Sequence, residues 1–569
     1  MAGTTLNPGY GSATPDWPQH SEAAVPSGKL AGHPYWMIAI VATLATLPVA
    51  IHGNPWGHDV NLHLRAWMDA ERQFHEGIFF PRWAAGANWG FGEPFFIFYP
   101  PLSRLAGVAL GLVLPWKMVP GVFIWLMLVL AGAAMWVCAR EWLPPADALA
   151  ASLLFAVNPY MLIVAYKRAN YADLVAAALF PLLVWGGIRM GYAPARTALP
   201  LSAALAAIWL SDLPAGVVAS YSLAGLLVVS ALLYRSLRPL LYGALAIASA
   251  LGSIAFFLLP AAWERRWVSI AEAVRMEWAP ENNFLFTHSN QPQYVAFNRG
   301  LSYVAVFLIV ATAIAALLAR RLRRDQSSVW LSLTLLAAVS TFMMFPPSFL
   351  LYEKLPEMRY VEFPWRWLSA LCVATAFLVA AAISQARRKW ILWAIAGVAV
   401  AAIGIEGLHT VTWDHAHYLE GLVADAQSTN GYPTRFGDWS NPLGSRREKL
   451  DKSAPLVAAA DAQPAAIQIE QWQGERKVFS VVSAEPVVLK LRLLSYPAWQ
   501  AKLNGSSIVV QTDPELGQML VPVPAGASRV EIRFGRTWDR TVGNIISLLT
   551  LLTCVPLMLW LSHRERAHG

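Results

Sequence analysis

The residue types best suited to chemistry crowd into one stretch, residues 57–103, which reads GHDVNLHLRAWMDAERQFHEGIFFPRWAAGANWGFGEPFFIFYPPLS. Asp59 and His63 stand four residues apart, so on a helix they share one face, and Arg65 and Asp69 follow on the same short segment. A carboxylate at the lip of a membrane cavity can act as general base toward a hydroxyl acceptor. Asp59 with His63, joined by His58, can instead hold a divalent metal ion. A third reading involves no reaction: the two side chains cap and hydrogen-bond a loop helix. A connection of this length is usually functional. Its place just beyond the first apolar run weighs toward chemistry.

The elements that must position this loop are apolar. Of 569 residues, 56% are hydrophobic and only 14% charged, with a mean hydropathy of +0.44. A soluble protein carries about 25% charged residues. The deficit falls in long runs such as Tyr35 to Ile51, YWMIAIVATLATLPVAI, which has no charge. About 20 such residues span a bilayer core. The residues before this run lack a strong basic region, and no small-residue cleavage pattern follows it, so it reads as a retained first helix behind a disordered cytoplasmic tail at 1–33. Cys138, Cys372 and Cys554 all lie in apolar runs and read as small buried side chains, with no CxxC metal site. A net charge of +8 would suggest nucleic acid for a soluble chain. Here the basic residues flank membrane segments, which points to positive-inside anchoring and to no nucleic-acid partner.

Those basic clusters orient the helices. They are Arg140, Arg189 with Arg196, Arg235 with Arg238, Arg320-Arg321-Arg323-Arg324, Arg387-Arg388-Lys389, and Arg564-Arg566. With all of them cytoplasmic, the helices alternate near 35–51, 120–139, 146–163, 172–189, 199–212, 214–234, 240–260, 300–319, 329–345, 366–385, 391–408 and 542–562. The expectation is a polytopic α-helical membrane protein with about 12 spans. A multi-pass domain covers 34–408, and a final helix with a cytoplasmic tail covers 542–569. Both termini are then cytoplasmic. The loops 52–119, 164–171, 261–299, 346–365 and 409–541 lie outside. Leu102 to Leu114, about 13 residues and bounded by prolines, must then be re-entrant or interfacial. Trp263-Glu264-Arg265-Arg266-Trp267 reads as an amphipathic segment lying on the membrane.

Residues 409–541 follow a different period. Val487, Leu489, Leu491 and Leu493 alternate with Lys490 and Arg492, and Val530, Ile532 and Phe534 alternate with Glu531 and Arg533. Asn504-Gly505 is a two-residue hairpin signal. This segment reads as a small extracytoplasmic β-sandwich before the last helix, with an irregular first part at 414–460.

Several motifs now join. An acidic residue just after the first helix is followed by Pro81-Arg82-Trp83, Gly90-Phe91-Gly92-Glu93-Pro94-Phe95-Phe96 and Tyr99-Pro100-Pro101-Leu102, with Phe363-Pro364-Trp365-Arg366 later. This pattern resembles the GT-C superfamily of integral membrane glycosyltransferases, and within it the bacterial 6-pyruvoyl-tetrahydropterin synthase-related membrane proteins. The β-rich segment, with Tyr496-Pro497-Ala498-Trp499-Gln500-Ala501, looks like the ends of related bacterial membrane proteins. The pterin-synthase part of that name finds no counterpart here, because no His cluster has zinc-site spacing.

The resemblance implies an inverting transfer of a sugar from a polyprenyl-phosphate carrier to an extracytoplasmic glycan, lipid or protein. It implies a bacterial inner-membrane location, with Asp59 as the catalytic carboxylate and His63 beside it. Many members pair two acids in this loop; here His58 and Val60 flank Asp59, and Glu93 is the alternative second carboxylate. A phosphate head calls for Arg forks, and arginines outside the membrane are the informative ones. Arg366, Arg168 and Arg359 lead, ahead of Arg299. Each has a structural alternative: Arg168 with Asp173, Arg359 with Glu357 or Glu362. Arg82, Trp83, Trp89, Glu93, Tyr99, Trp365 and Asp173 complete the expected substrate site, with Asp212 another ionisable group at a helix end.

Two rivals come from other classes. A lipid-linked-sugar transporter would favour internal repeats and mid-membrane charges, whereas the charges here cluster at helix ends. A non-catalytic assembly factor for envelope glycans would tolerate loss of Asp59 but not of the β-domain.

Overall fold

The computed structural model describes residues 34–275, 278–287, 292–386, 389–414, 417–428, 431–433, 440–461 and 464–568. The tail 1–33 and Arg387-Arg388 of one basic cluster lie outside them.

Apolar runs fold as helices because a membrane offers no partner for free backbone N–H and C=O groups. The first half of the chain supplies α1 (Pro34–His52), α2 (Val60–His75), α3 (Pro101–Gly111), α4 (Val119–Ala139), α5 (Pro145–Ala156), α6 (Tyr171–Arg189), α7 (Pro194–Ser211) and α8 (Leu213–Leu233). Then follow α9 (Arg238–Ser253), α10 (Ala255–Glu264), α11 (Pro292–Leu318), α12 (Ser327–Met343), α13 (Leu368–Ser384), α14 (Lys389–His409), α15 (Tyr418–Gln427) and α16 (Trp538–His568).

Among the described residues eight helical stretches are long and apolar enough to cross a membrane, or ten if each of two bent pairs is one span. The bends are 71° between α9 and α10, and 91° between α12 and Pro346–Lys354. The count is below the expected twelve. Residues 199–212 and 391–408 make the difference. The first falls in α7, whose apolar face is diluted by Arg196 and Pro200. The second falls in α14, which at 21 residues is long enough to cross, although only its stretch Gly397–His409 enters the count, as a shorter apolar helix. Helix α3 has 11 residues, too few to cross.

Two helices form the centre. Of their apolar windows, 89% in α6 and 83% in the span containing α13 are buried within the protein, against 17% in α1 and 11% in α16. Side chains on the rim helices therefore face lipid, while α6 and α13 meet protein all round. The candidate site lies where these two central helices begin.

The β-rich segment contains β1 (Val457–Ala459), β2 (Ala465–Trp472), β3 (Arg476–Ser483), β4 (Val487–Leu494), β5 (Trp499–Leu503), β6 (Ser506–Ile508), β7 (Gln511–Thr512), β8 (Gln518–Val523) and β9 (Gly526–Phe534). They form two antiparallel sheets, ordered β1-β4-β8-β7 and β2-β3-β9-β5-β6. Alternation puts Leu489, Leu491, Met519 and Val521 of one sheet in a common core with Phe479, Val481, Val530 and Ile532 of the other. The β5–β6 hairpin turns at Asn504-Gly505, both with positive φ, as a two-residue loop requires.

That core also takes in Trp83, Phe91, Ile97 and Phe98 from the loop between α2 and α3. The Trp83 ring meets Trp499 at 5.4 Å and Phe534 at 5.5 Å. Gly92, at φ +72°, lies so close to Trp83 that a Cβ would sit 1.9 Å from its Nε1. Hydrogen bonds cross the same seam: the backbone N–H of Leu494 donates to Phe91 O at 2.9 Å, and the side-chain Nε of Arg492 to Trp89 O at 2.8 Å. The segment 263–267, read as lying on the membrane, is tied in as well. Glu264 is fully buried and accepts from Arg540 Nε at 2.7 Å and Tyr496 Oη at 2.7 Å.

Candidate functional site

The site is made where the start of α2 meets the approach to α6. His58 N donates to Lys167 O at 3.3 Å and Asp59 N to Arg168 O at 2.8 Å. Gly57 permits this closeness, because a Cβ there would lie 2.7 Å from the backbone of Lys167 and Arg168. The facing chain is unusual. After α5 it passes through Pro159–Leu162 into a π-helical turn, Ile163–Arg168, and then Ala169 takes a left-handed conformation. Isolated π-turns often mark functional sites, and this one delivers Arg168 beside Asp59.

Asp59 precedes α2 but makes no side-chain capping bond. Instead its Oδ2 accepts from Arg168 Nη2 at 2.6 Å and from Asn170 Nδ2 at 3.0 Å. Both bonds fall on Oδ2, which leaves Oδ1 available to a substrate hydroxyl. The Asp59 side chain is 20% exposed, that of Arg168 only 5%. His63 Nε2 accepts from the backbone N–H of Tyr171 at 3.2 Å, which puts the ring proton on Nδ1.

A second pair stands alongside. Arg366, buried at the entry to α13, has its Nε 3.7 Å from Asp173 Oδ2 and its Nη1 3.1 Å from Glu362 Oε2. Tyr160 Oη donates to both oxygens of Asp173, at 3.0 Å each. Asn170 links the pairs, since its Oδ1 accepts from Asp173 N at 2.9 Å. The Arg168 guanidinium lies 4.7 Å from the Phe363 ring centroid and 5.4 Å from that of Trp365. Among the described residues Arg168 Nε and Arg366 Nε are buried without a hydrogen-bond partner.

Electrostatics separates the titratable groups. Burial pushes Asp59 up, but Arg168, helped by His63, His58 and Arg366, overcomes it and holds the carboxyl below its ordinary value. Burial, then Arg168, lowers His58 to about 4, and burial lowers His63 to about 4, so both imidazoles are neutral at pH 7. Glu362 moves the other way. Burial raises it to about 7 against the pull of Arg366, and it holds a strained backbone at φ 60° and ψ −53°. Tyr99 sits in the field of Asp212, Asp59, Arg366 and Glu362, and its ring lies 5.8 Å from His63.

The structure thus brings together Asp59, His63, Arg168, Asp173, Arg366, Trp365 and Tyr99. It does not bring the remaining sequence candidates there. Arg359 is half-exposed and pairs with Glu281 at 3.1 Å and Glu353 at 4.0 Å, not with Glu357 or Glu362. Arg168 pairs with Asp59 and not with Asp173. Arg299 is exposed on α11. Arg82 donates to Phe256 O at 3.1 Å, Trp83 is buried in the β-domain seam, and Lys452 lies 4.3 Å over the Trp89 ring. Glu93 is buried beside Asn88 at 3.3 Å. Each is absorbed by packing between loop and β-domain. As metal ligands, Asp59 and His63 do not make a centre by themselves. Asp59 Oδ2 and His63 Nε2 are both taken by protein donors, and among the described residues no group of three or more His, Cys, Asp or Glu is placed to hold a metal ion.

Sequence reasoning missed Asn170, Tyr160, Tyr171 and Glu362. For Asn170 a signal exists: Asn followed three residues on by an acid opens a helix, and its side chain indeed caps α6. Glu362 offers no comparable signal, because it looks like one more surface acid beside Arg359.

A family model described as 6-pyruvoyl-tetrahydropterin synthase related domain, membrane protein, matches residues 96–413. No curated protein matches the chain in sequence. Among solved structures the chain is similar to the arabinofuranosyltransferase AftD from Mycobacteria, at 16% identity and a TM-score of 0.43, over 65% of this chain and 26% of that one. It is also similar to the apo oligosaccharyltransferase of Archaeoglobus fulgidus, at 13% identity and a TM-score of 0.38, over 70% of this chain and 57% of that one. The chain therefore spans about a quarter of the first protein's length and little over half of the second's.

Proposed function

The chain belongs to the 6-pyruvoyl-tetrahydropterin synthase related family of membrane proteins, and from that premise we propose that it is a membrane glycosyltransferase. Its donor is a sugar on a polyprenyl-phosphate carrier, and its acceptor is an extracytoplasmic hydroxyl. The observation that carries this reading is the pair of buried arginines, Arg168 and Arg366, each with an Nε that makes no hydrogen bond and each held by a carboxylate at the entry to a central span. A phosphate monoanion at the end of a lipid tail satisfies both donors at once.

The chemistry follows from those contacts. The acceptor oxygen attacks the anomeric carbon, the bond from that carbon to the phosphate oxygen breaks, and polyprenyl phosphate departs. The acceptor proton passes to a carboxylate. With Arg168 on its Oδ2, Asp59 is a weak base. When donor phosphate draws the Arg168 guanidinium away, Asp59 loses its counter-charge and its basicity rises. Donor binding then switches on the base, which limits the reaction to loaded enzyme. Neutral His63 fixes the turn at Tyr171 and leaves Asp59 as the charged group facing the acceptor.

The test uses purified protein in nanodiscs, wild type beside Asp59→Asn, with a panel of polyprenyl-phosphate sugars and bacterial lipid extract as acceptor. Wild type is expected to release polyprenyl phosphate and Asp59→Asn to lose about 10²–10⁴ in rate while remaining folded. Equal release by both would sink the assignment of Asp59. Measurable donor binding with no release from wild type would favour a transporter or scaffold, and transbilayer movement would then be measured.

A further inference from the structure

A second site lies at the opposite end of α2. Asp59 precedes that helix, whereas Arg72 and Glu76 stand at its C-terminus, about 20–25 Å away at 1.5 Å per residue. There the α2–α3 loop and the β-domain enclose a cavity of about 510 Å³, a size typical of sites that hold a small molecule. Arg72, Lys477 and Arg492 line it, against one lining carboxylate among the described residues, Glu76, with Trp472 supplying an aromatic wall.

The groups differ in how far the protein already uses them. Arg492 is spent on structure, donating to the carbonyls of Trp89, Ala454 and Lys452. Glu76 is committed too, accepting from Gly474 N at 2.7 Å. Two further acids stand behind the wall. Asp69 accepts from Gly86 N at 2.9 Å and Tyr432 Oη at 2.9 Å, and Glu475 from Arg82 N at 2.8 Å. Lys477 is the informative residue. It is only 3% exposed, its ammonium donates to the Gln473 and Gly474 carbonyls, and it lies 5.7 Å from the Trp472 ring and 4.9 Å from the Trp499 ring. Arg72 Nε is buried with no partner among the described residues. Arg72 Nη2 donates to Asp69 Oδ1 at 3.1 Å, so of this guanidinium it is the Nε that is left over. A buried ammonium beside a guanidinium with a spare N–H and a half-buried indole matches a ligand with negative charge and a face that stacks.

We propose that this cavity binds a saccharide bearing a carboxylate or phosphate group, as a recognition subsite for an acidic glycan. That it reads the acceptor of the transfer rests on the glycosyltransferase reading; that it binds such a saccharide does not. Burial pulls the Lys477 amine down to about 7 against Glu76 and Glu475, so bound anion also stabilises the ammonium in place.

The test is equilibrium binding to full-length protein in nanodiscs, by calorimetry. Probes are tetragalacturonate, mannose 6-phosphate and neutral maltotetraose. At least one anionic probe should bind at least tenfold more tightly than maltotetraose, and Trp472→Ala and Arg72→Gln should each weaken it at least tenfold, Trp472→Ala without lowering the melting temperature and Arg72→Gln with some loss because Arg72 also pairs with Asp69. Lys477→Met serves as a third variant, since its ammonium also holds the Gln473 turn. Equal binding of neutral and anionic probes, absence of binding at millimolar concentration, or full affinity in both Trp472→Ala and Arg72→Gln would overturn the proposal. The readout needs no turnover, so failure of the catalytic reading leaves it standing, and failure here leaves the catalytic reading untouched.

Discussion

Replacing Arg168 with Met is the perturbation that most directly probes the site. Met keeps an apolar chain against Phe363 and Trp365, while the charge beside Asp59 disappears. Removing one partner of a fully buried ion pair costs about 3–5 kcal/mol. Asp59 is 20% exposed and keeps its bond from Asn170, so water recovers part of that loss, and we expect about 2–3 kcal/mol. The sign of the pH dependence should also reverse. In wild type the folded carboxyl lies below its unfolded value of 3.8. Its contribution is therefore present above that pH and lost as acid titrates the folded group. In Arg168→Met burial acts without its main opponent, and the folded carboxyl lies higher than the unfolded one. The variant should then gain stability as pH falls from neutrality toward about 4, where wild type gains nothing from this group. Thermal unfolding in nanodiscs across that pH range, with Asp59→Asn/Arg168→Met completing a cycle, measures both effects. Identical pH dependence in wild type and Arg168→Met, or a stability loss unaltered by the Asn at 59, would refute the coupling.

Glu362→Gln removes a carboxyl raised to about 7. A raised carboxyl gives stability that is present below about 4.5 and lost as pH rises through about 7. The variant should flatten that slope, and an unchanged slope would show that Glu362 titrates normally. Gly57→Ala puts a methyl 2.7 Å from fixed backbone at 167–168. It should cost about 1–3 kcal/mol and slow transfer by parting Asp59 from Arg168; a melting temperature and rate matching wild type would contradict the clamp. Arg104 is 3% exposed with no partner for any guanidinium nitrogen among the described residues, and it stacks 4.1 Å from the Phe96 ring. Arg104→Met should stabilise the protein by about 1–3 kcal/mol, and a lower melting temperature would mean that the guanidinium is satisfied by something bound.

Much of this was legible in the sequence, for a local reason. Hydropathy and period are properties of consecutive residues, so the apolar runs, the alternation in β4 and β9 and the Asn504-Gly505 turn could be read directly. Asp59, His63, Arg168 and Arg366 were legible because charge near a membrane needs a reason. The helix count was less legible, since Arg196 and Pro200 bring α7 near the threshold at which hydropathy ceases to decide whether a segment crosses.

The pairings belonged to the tertiary structure alone. Arg168 is 109 residues from Asp59, and no local pattern says that it would choose this acid over the nearer Asp173. The same holds for the motifs around Trp83 and Glu93. Their aromatic and glycine content signals a site, and the chain does build one there, but a socket for the β-domain. An aromatic side chain that stacks on sugar and one that fills an interface have the same chemistry. Only the position of a segment more than 400 residues away determines which of the two Trp83 becomes.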